Sequence, residues 1–115
     1  SKKMSYLGNV ILCLHLTGIW AITCYYCSNN PEWDWLPYDA SCGFPDYGGN
    51  TLTCEDCVTC RTDVYNEGSL YRNASSIGSD GECANYDNAL QCFCKQELCN
   101  SHLCEGCSED DIPRI

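Results

Sequence analysis

The sequence is poor in positive charge. Its 115 residues contain six lysines and arginines against 16 aspartates and glutamates, which gives a formal net charge of −10 at pH 7. A phosphate backbone, a heparin-like polymer or an anionic lipid surface would repel such a chain. The charge balance therefore excludes nucleic acid from the partners that we expect.

Histidine is equally scarce, since the chain contains only His15 and His102. A catalytic nucleophile needs a base that a third group orients in a cleft, and no motif around His102 indicates such an arrangement. The aspartates do not fall at the intervals of a calcium-binding EF-hand loop. We therefore predict no enzymatic activity, no catalytic residues, no metal and no cofactor. A small hydrolase that uses His102 is the disfavoured alternative.

Helical periodicity is also missing. No segment repeats apolar residues at helical spacing over three turns. β-branched and aromatic residues predict a first strand over 22–27, and two β-prone runs around the turn Asn66-Glu67-Gly68 predict a hairpin. Residues 73–82 are small and polar and predict a loop, and residues 83–92 predict a second return bend. These patterns predict a small all-β fold.

The N-terminal segment has the layout of a secretory signal peptide. A basic start precedes the apolar stretch Leu7–Ala21, which ends in a small residue. A membrane anchor is the alternative, but the stretch is short for a bilayer and is interrupted by His15 and Thr17. We expect cleavage after Ala21.

Three segments follow from this layout: a signal peptide over 1–21, a domain over 22–100, and an acidic C-terminal tail over 101–115 that carries an extra cysteine pair. A glycolipid anchor needs a hydrophobic tail, and this sequence ends in SEDDIPRI. We therefore expect a secreted, extracellular protein without a membrane span. A cell-surface protein with a glycolipid anchor is expected only if the C-terminus is truncated.

Cysteine is abundant, with 13 in the chain. Cleavage of the leader removes Cys13 and leaves an even number, which in an exported chain indicates disulfides. The C-x-x-C spacings at 54–60 and 104–107 also fit zinc, but export and the lack of a nearby histidine favour disulfides. The cysteines predicted in bridges are Cys24, Cys27, Cys42, Cys54, Cys57, Cys60, Cys83, Cys92, Cys94, Cys99, Cys104 and Cys107.

Two cysteine motifs carry a resemblance to a known family. C-Y-Y-C at 24–27 and C-F-C-K-Q-E-L-C-N at 92–100 resemble the two ends of the LU domain. That domain is the three-finger fold of the lymphocyte-antigen and urokinase-receptor family, which snake three-finger toxins share. The separation of Cys92 from Cys94 is closest to the invertebrate quiver/sleepless-type members. The resemblance covers about residues 22–100 and implies a small, disulfide-rich, three-finger domain.

The resemblance also implies part of the disulfide pattern. The implied pairs are Cys27 with Cys42, Cys83 with Cys92, and Cys94 with Cys99. The side-chain amide of Asn100 is implied to pack against the backbone of the core. Cys24 is implied to bond either Cys57 or Cys60.

The remaining pairs stay open at this point. Cys54 is left with whichever of Cys57 and Cys60 does not bond Cys24. The family usually has a cysteine soon after the central hairpin, whereas here the next one is Cys83. Cys104 and Cys107 lie beyond the usual end of the domain, and they either bond each other or tie the tail to the body.

Aromatic residues mark the candidate binding surface. Trp33, Trp35 and Tyr38 lie in a loop between prolines and either form an exposed docking tip or cover a thin core. Fingertips carry recognition in three-finger proteins, so the tip of the central hairpin is the second candidate, with Tyr65, Asn66, Glu67 and Tyr71. Arg61 and Arg72 flank this tip and could form cross-strand ion pairs.

Asn73-Ala74-Ser75 is an N-glycosylation sequon. In an exported protein, a sequon in a polar loop would be accessible to glycosylation. We therefore predict a glycoprotein modified at Asn73.

The function predicted from these features is non-enzymatic recognition. The resemblance implies a monomer that modulates a membrane receptor or ion channel, such as a nicotinic receptor or a potassium channel, by binding its ectodomain through the finger loops. The alternatives are a secreted toxin-like or inhibitor effector, a truncated glycolipid-anchored member of the same family, and the ectodomain of a larger receptor.

Overall fold

The structure is a computed structural model, and it describes residues 21–86, 88–104 and 106–107. The predicted signal peptide up to residue 20 and the tail from residue 108 lie outside the described residues. None of the helices in the described ranges is long and apolar enough to cross a membrane.

Antiparallel strands form almost all of the regular structure in the described ranges. The strands are β1 (Ile22–Tyr25), β2 (Cys27–Ser28), β3 (Thr51–Cys54), β4 (Thr59–Tyr65), β5 (Leu70–Ser75), β6 (Cys83–Tyr86) and β7 (Ala89–Cys94). Two short 3-10 helices cover Ala40–Gly43 and Cys99–Ser101. The prediction of a small, disulfide-rich all-β domain is confirmed.

The strands form two sheets. One has five strands in the order β2-β5-β4-β7-β6, and the other pairs β1 with β3. The central hairpin β4–β5 closes through Gly68, whose φ of 100° suits glycine better than any L-residue. The third hairpin, β6–β7, turns through Asn88 at a φ of 64°, which asparagine tolerates unusually well.

Strand β5 extends further than the sequence predicts. Residues 73–75 were expected in a loop, but Asn73 pairs with Arg61 and Ser75 pairs with Thr59. The prediction was wrong because β4 offers backbone partners along this length, and pairing outweighs the weak β-propensity of small polar residues. The sequon at Asn73 therefore begins in a strand, and its glycosylation stays a prediction.

The register of the five-stranded sheet gives it two distinct faces. Residues paired directly across antiparallel strands point to the same side. Asp63 pairs with Tyr71, and Arg61 pairs with Phe93. The side that carries these four residues and Tyr65 is called the aromatic face below.

The opposite side, called the tail face, carries Thr62, which pairs with both Arg72 and Cys92. Tyr47 and Leu103 belong to the apolar cluster that also contains Leu70. The sheet is thus covered on the tail face by segments from elsewhere in the chain. A second small cluster joins Ile22 to the half-cystines Cys24 and Cys60, so sulfur forms part of the core.

Six disulfides connect the described residues, and they join Cys24–Cys60, Cys27–Cys42, Cys54–Cys57, Cys83–Cys107, Cys92–Cys104 and Cys94–Cys99. The pairs 27–42 and 94–99 are those that the resemblance implied. Of the two open alternatives, Cys24 bonds Cys60, which leaves Cys54 to Cys57.

The implied pair Cys83–Cys92 is wrong for this structure. Both residues lie opposite each other on β6 and β7, in register with Thr62 on the tail face. The chain after Cys99 folds back over that face and buries Cys104 near the carbonyl of Thr62. The sulfurs of Cys92, Cys104 and Cys107 come within 4.8 Å of one another. The tail cysteines therefore tie the tail to the body instead of bonding each other.

Peptide mapping of the oxidised protein checks this correction. Cleavage without reduction, after Tyr86 and Phe93 by chymotrypsin and after Glu105 by a glutamyl protease, separates the four half-cystines. We expect mass spectrometry to find cross-linked peptides that join 83 to 107 and 92 to 104, because these sulfurs meet on the tail face. Peptides that join 83 to 92 and 104 to 107 would contradict the structure.

A buried arginine holds the tail on the sheet. The Arg72 side chain is inaccessible to solvent. Its guanidinium donates to the carbonyls of Cys42, Phe44, Asn100 and His102 at 2.7 to 3.0 Å. It also lies 5.5 Å from the ring centroid of Tyr47. The position of Arg72 beside the hairpin tip predicted a possible cross-strand ion pair at the surface, but its side chain is buried on the tail face.

The side-chain amide of Asn100 joins three more segments. Its Nδ2 donates to the carbonyls of Tyr25, Arg61 and Asn73 at 3.0 to 3.3 Å, and its Oδ1 accepts from the Tyr25 N–H at 2.9 Å. Asn100 is 1 % exposed. Through these hydrogen bonds, Asn100 connects β1, β4 and β5 to the segment that follows Cys99. Their loss would be costly, because it would leave buried polar groups unpaired.

Substitution of Arg72 by lysine tests the arginine contacts. A lysine ammonium is a compact point charge and cannot reach carbonyls on all sides as the planar guanidinium does. We expect Arg72→Lys to lower the free energy of unfolding by about 2 to 3 kcal/mol, because buried carbonyls lose their donors. Urea titration of the oxidised protein measures this loss. The exposed Lys95→Arg is the control, and an equal urea midpoint for Arg72→Lys and wild type would contradict the assigned role.

Candidate recognition surface

The loop that carries the tryptophans is fixed at both ends. Ser28 N–H donates to the carbonyl of Pro37 at 2.9 Å, and Asp39 N–H donates to the carbonyl of Ser28 at 2.8 Å. Leu36, between these points, is 4 % exposed and anchors the loop to the body. Cys27–Cys42 encloses the whole segment. The loop is therefore held in one conformation against β2.

Asp39 secures the far end of this loop. Its carboxylate accepts from the Ser41 hydroxyl at 2.6 Å, from the Ser41 N–H at 3.0 Å and from the Tyr47 hydroxyl at 2.9 Å. These hydrogen bonds, the one from the Ser41 hydroxyl foremost, lower the pKa of Asp39 from its ordinary value. The carboxylate thus joins Ser41 to Tyr47 at this end of the loop.

The two candidate surfaces meet in one group of rings. The ring of Trp33 lies 5.3 Å from that of Tyr65 and 5.8 Å from that of Tyr71, centroid to centroid. Trp35 contacts Tyr71 edge to face at 5.0 Å. These four residues are called the aromatic cluster below. Edge-to-face contacts of this kind add stabilisation beyond simple burial.

The tryptophan loop serves partly as a cover for the core and partly as an exposed tip. Tyr71 is 8 % exposed and Trp33 is half-buried, so these rings cover the aromatic face of the sheet. Trp35 and Tyr38 are each 53 % exposed. Trp35 therefore packs on the sheet with one part of its ring system and offers the remainder to solvent.

The other predicted residues lie at the turn of the central hairpin. Glu67 is exposed there. The Asn66 N–H donates to the carbonyl of Asn88 at 3.0 Å, which links this turn to that of the third hairpin. The structure thus brings together Trp33, Trp35, Tyr65 and Tyr71, with Tyr38 on the same loop as the tryptophans.

Arg61 belongs to this surface, although its position beside the hairpin tip predicted only a possible cross-strand ion pair. It binds Asp63, two residues along the same strand, through two hydrogen bonds of 2.8 Å. Its guanidinium also lies 5.5 Å from the ring centroid of Tyr71 and 5.6 Å from that of Phe93. The signal was present in the pattern Arg-x-Asp, because residues i and i+2 of a strand share a face.

Burial and the charges beneath the cluster change the pKa of the Tyr71 hydroxyl. Burial raises the pKa of the Tyr71 hydroxyl well above its ordinary value, the Asp63 carboxylate raises it further, and the nearby Arg61 guanidinium partly offsets both effects. Phe93 reaches this row because Gly78, at a φ of 97°, has no Cβ that would collide with the ring. The aromatic face is therefore a continuous row of Phe93, Arg61, Tyr71 and the tryptophans.

The tail face offers little room for a small molecule. A cavity of about 120 Å³ lies between β7 and the tail, beside Thr62, Cys92 and Cys104. Pockets for drug-sized ligands are several times larger. Cys92, Cys104 and Cys107 are close enough for a metal site, but their sulfurs are in disulfides and offer no thiolate ligand. His102 is the histidine that the disfavoured hydrolase would use, and its backbone carbonyl accepts a hydrogen bond from the Arg72 guanidinium at 2.8 Å.

Comparison of the chain with protein families, with curated proteins and with solved structures finds no match. The aromatic face and the cysteine motifs are therefore the features that bear on function.

Alkaline unfolding tests the burial of Tyr71. Tyrosine in an unfolded chain ionises near pH 10, whereas folded Tyr71, with its raised pKa, keeps its proton. The folded state then binds more protons than the unfolded state, so the free energy of unfolding should fall as pH rises above about 10. Tyr71→Phe should reduce this fall, as measured by urea titrations from about pH 8 to about pH 11.

The exposed Tyr86 provides the control for this experiment. Tyr86→Phe makes the same chemical change at an exposed site, and its free energy of unfolding near neutral pH should equal that of the wild type. A slope that is the same in Tyr71→Phe and wild type would show that Tyr71 is not buried as described.

Proposed function

We propose that the chain is a secreted, non-enzymatic recognition module of the LU-domain family, and that it binds a protein partner through the aromatic cluster. The observation that carries this proposal is the exposed Trp35, supported by buried rings on a sheet that disulfides cross-link. Tryptophan and tyrosine dominate the binding energy of protein interfaces. A loop fixed before binding loses less entropy when the partner docks.

A three-finger arrangement is part of this proposal. Its supports are the loop closed by Cys27–Cys42, the hairpins β4–β5 and β6–β7, and the small terminal loop closed by Cys94–Cys99. The cysteine motifs at 24–27 and 92–100 add the resemblance. Secretion is supported by the apolar leader and by the six disulfides, which form in oxidising compartments.

The proposed partner is the ectodomain of a membrane receptor or ion channel. This target class comes from the resemblance to the LU domain, whose members modulate such proteins. The proposed mechanism requires no bond to be made or broken: the rigid aromatic face docks on the ectodomain and favours one of its conformations.

A binding assay on cells tests the proposal. The oxidised, fluorescently labelled domain is titrated onto cells that each display one nicotinic receptor or potassium channel, with untransfected cells as background. We expect saturable binding to at least one of them. Trp35→Ala should weaken this binding about 30-fold, which corresponds to a hot-spot residue of about 2 kcal/mol.

Tyr86→Ala is the matched control, because Tyr86 is similarly exposed at 63 % and lies on the edge strand β6, away from β2. Its affinity should stay within about threefold of wild type, as is usual for residues outside a hot spot. The absence of saturable binding, or equal losses for the two variants, would refute recognition through the aromatic cluster.

A further inference from the structure

The surface near the aromatic cluster carries negative charge. Glu32 and Asp34 flank Trp33 on the same loop, Glu67 lies at the hairpin turn, and all three are exposed. Exposed carboxylates beside an aromatic ring favour a ligand of opposite charge. An apolar ligand would remove these carboxylates from water without offering them a partner, which costs free energy.

The described part of the chain supplies hardly any positive charge of its own to this surface. Arg72 is fully buried on the tail face. The Arg61 side chain is 19 % exposed and is bound to Asp63. Lys95 is the remaining basic residue in the described ranges, and it follows the end of β7. The negative charge beside Trp35 is therefore left to be matched by a partner.

The aromatic face already binds one guanidinium of this chain. Arg61 lies against both Tyr71 and Phe93, and Tyr71 in turn contacts Trp35. The row of rings continues to Trp35, which is half-exposed and carries no cation from the described residues. Tryptophan is the aromatic side chain that attracts cations most strongly.

We propose that Trp35 is a docking site for an arginine side chain of the partner, with Glu32 and Asp34 as the carboxylates that match its charge. This inference rests on the proposed recognition function and names the chemistry that the partner presents there. Arginine fits better than lysine because its planar guanidinium is weakly hydrated and stacks on rings, as Arg61 does within the same row.

Titration with model peptides tests this site directly. The probe is a blocked peptide in which arginine alternates with glycine, and its matched control replaces each arginine by citrulline, which has nearly the same shape and no charge. In ¹H–¹⁵N spectra, we expect the arginine peptide to shift the Trp35 indole N–H signal saturably. The citrulline peptide should bind at least about tenfold more weakly, since it lacks the cation. Equal binding of the two peptides would overturn the proposal.

A lysine peptide of the same length tests the choice of guanidinium. It should bind several-fold more weakly than the arginine peptide, because its ammonium is more strongly hydrated. Equal affinity for the two would overturn the assignment to arginine.

Charge-removing variants identify the carboxylates. Glu32→Gln combined with Asp34→Asn should weaken binding of the arginine peptide about tenfold. The control is Glu55→Gln combined with Asp56→Asn, which removes the same charge from two exposed residues after β3. It should change the affinity by no more than about twofold at moderate salt. Equal losses in the two double variants would indicate attraction to net charge alone and would overturn the site.

The same variants separate this inference from the proposed function. Cell binding that requires Trp35 but survives the loss of the Glu32 and Asp34 charges would retain the recognition function and overturn the arginine site. Loss of cell binding in that double variant, but not in the Glu55 and Asp56 control, would support both. A complete absence of saturable cell binding refutes the recognition function, while the peptide titration still decides the ligand chemistry.

Discussion

Buried backbone carbonyls that need donors impose the central constraint on this fold. The described residues form only two small apolar clusters, and irregular segments cover the tail face of the five-stranded sheet. Such segments cannot pair their carbonyls in a ladder, so side chains must satisfy them. Arg72 does so for four carbonyls and Asn100 for three. The disulfides bring these segments near the sheet, and the two side chains determine how they lie on it.

The contacts that hold the tail on one side of the sheet also keep the rings of the aromatic face ordered on the other side. Register ties the two sides together: Arg72 and Tyr71 are neighbours on β5 and point in opposite directions. Any slip of β5 that released Arg72 from its carbonyls would also move Tyr71 away from Trp33 and Trp35. Ordered rings are thereby maintained in a domain whose apolar interior alone would be too small to hold them.

Hairpins could be predicted from the sequence because they are local. The turn at Gly68 and the all-β class follow from patterns within a few residues, whereas the Cys94–Cys99 loop was implied by the resemblance of the closing cysteine motif. The partners of Cys83 and Cys92 could not be predicted, since their pairing depends on where the tail crosses the sheet. The contact between Trp33 and Tyr71 could not be predicted for the same reason. Each residue was a candidate binding residue alone, and only the packing of the tryptophan loop on β5 brings their ring centroids to 5.8 Å.

The placement of the two arginines links stability to the proposed recognition function. The Arg72 side chain is buried in the interior, and the Arg61 guanidinium binds Asp63 beneath the rings. The described surface of this acidic chain therefore keeps almost no positive charge. Trp35 is half-exposed, and the exposed Glu32 and Asp34 lie on the same loop. Attraction to a basic patch would speed the encounter at a distance, and the ordered rings would select a planar cation on contact. The encounter rate and the contact selectivity at such a surface then have separate physical origins, the first in charge and the second in the ring geometry that the tail face maintains.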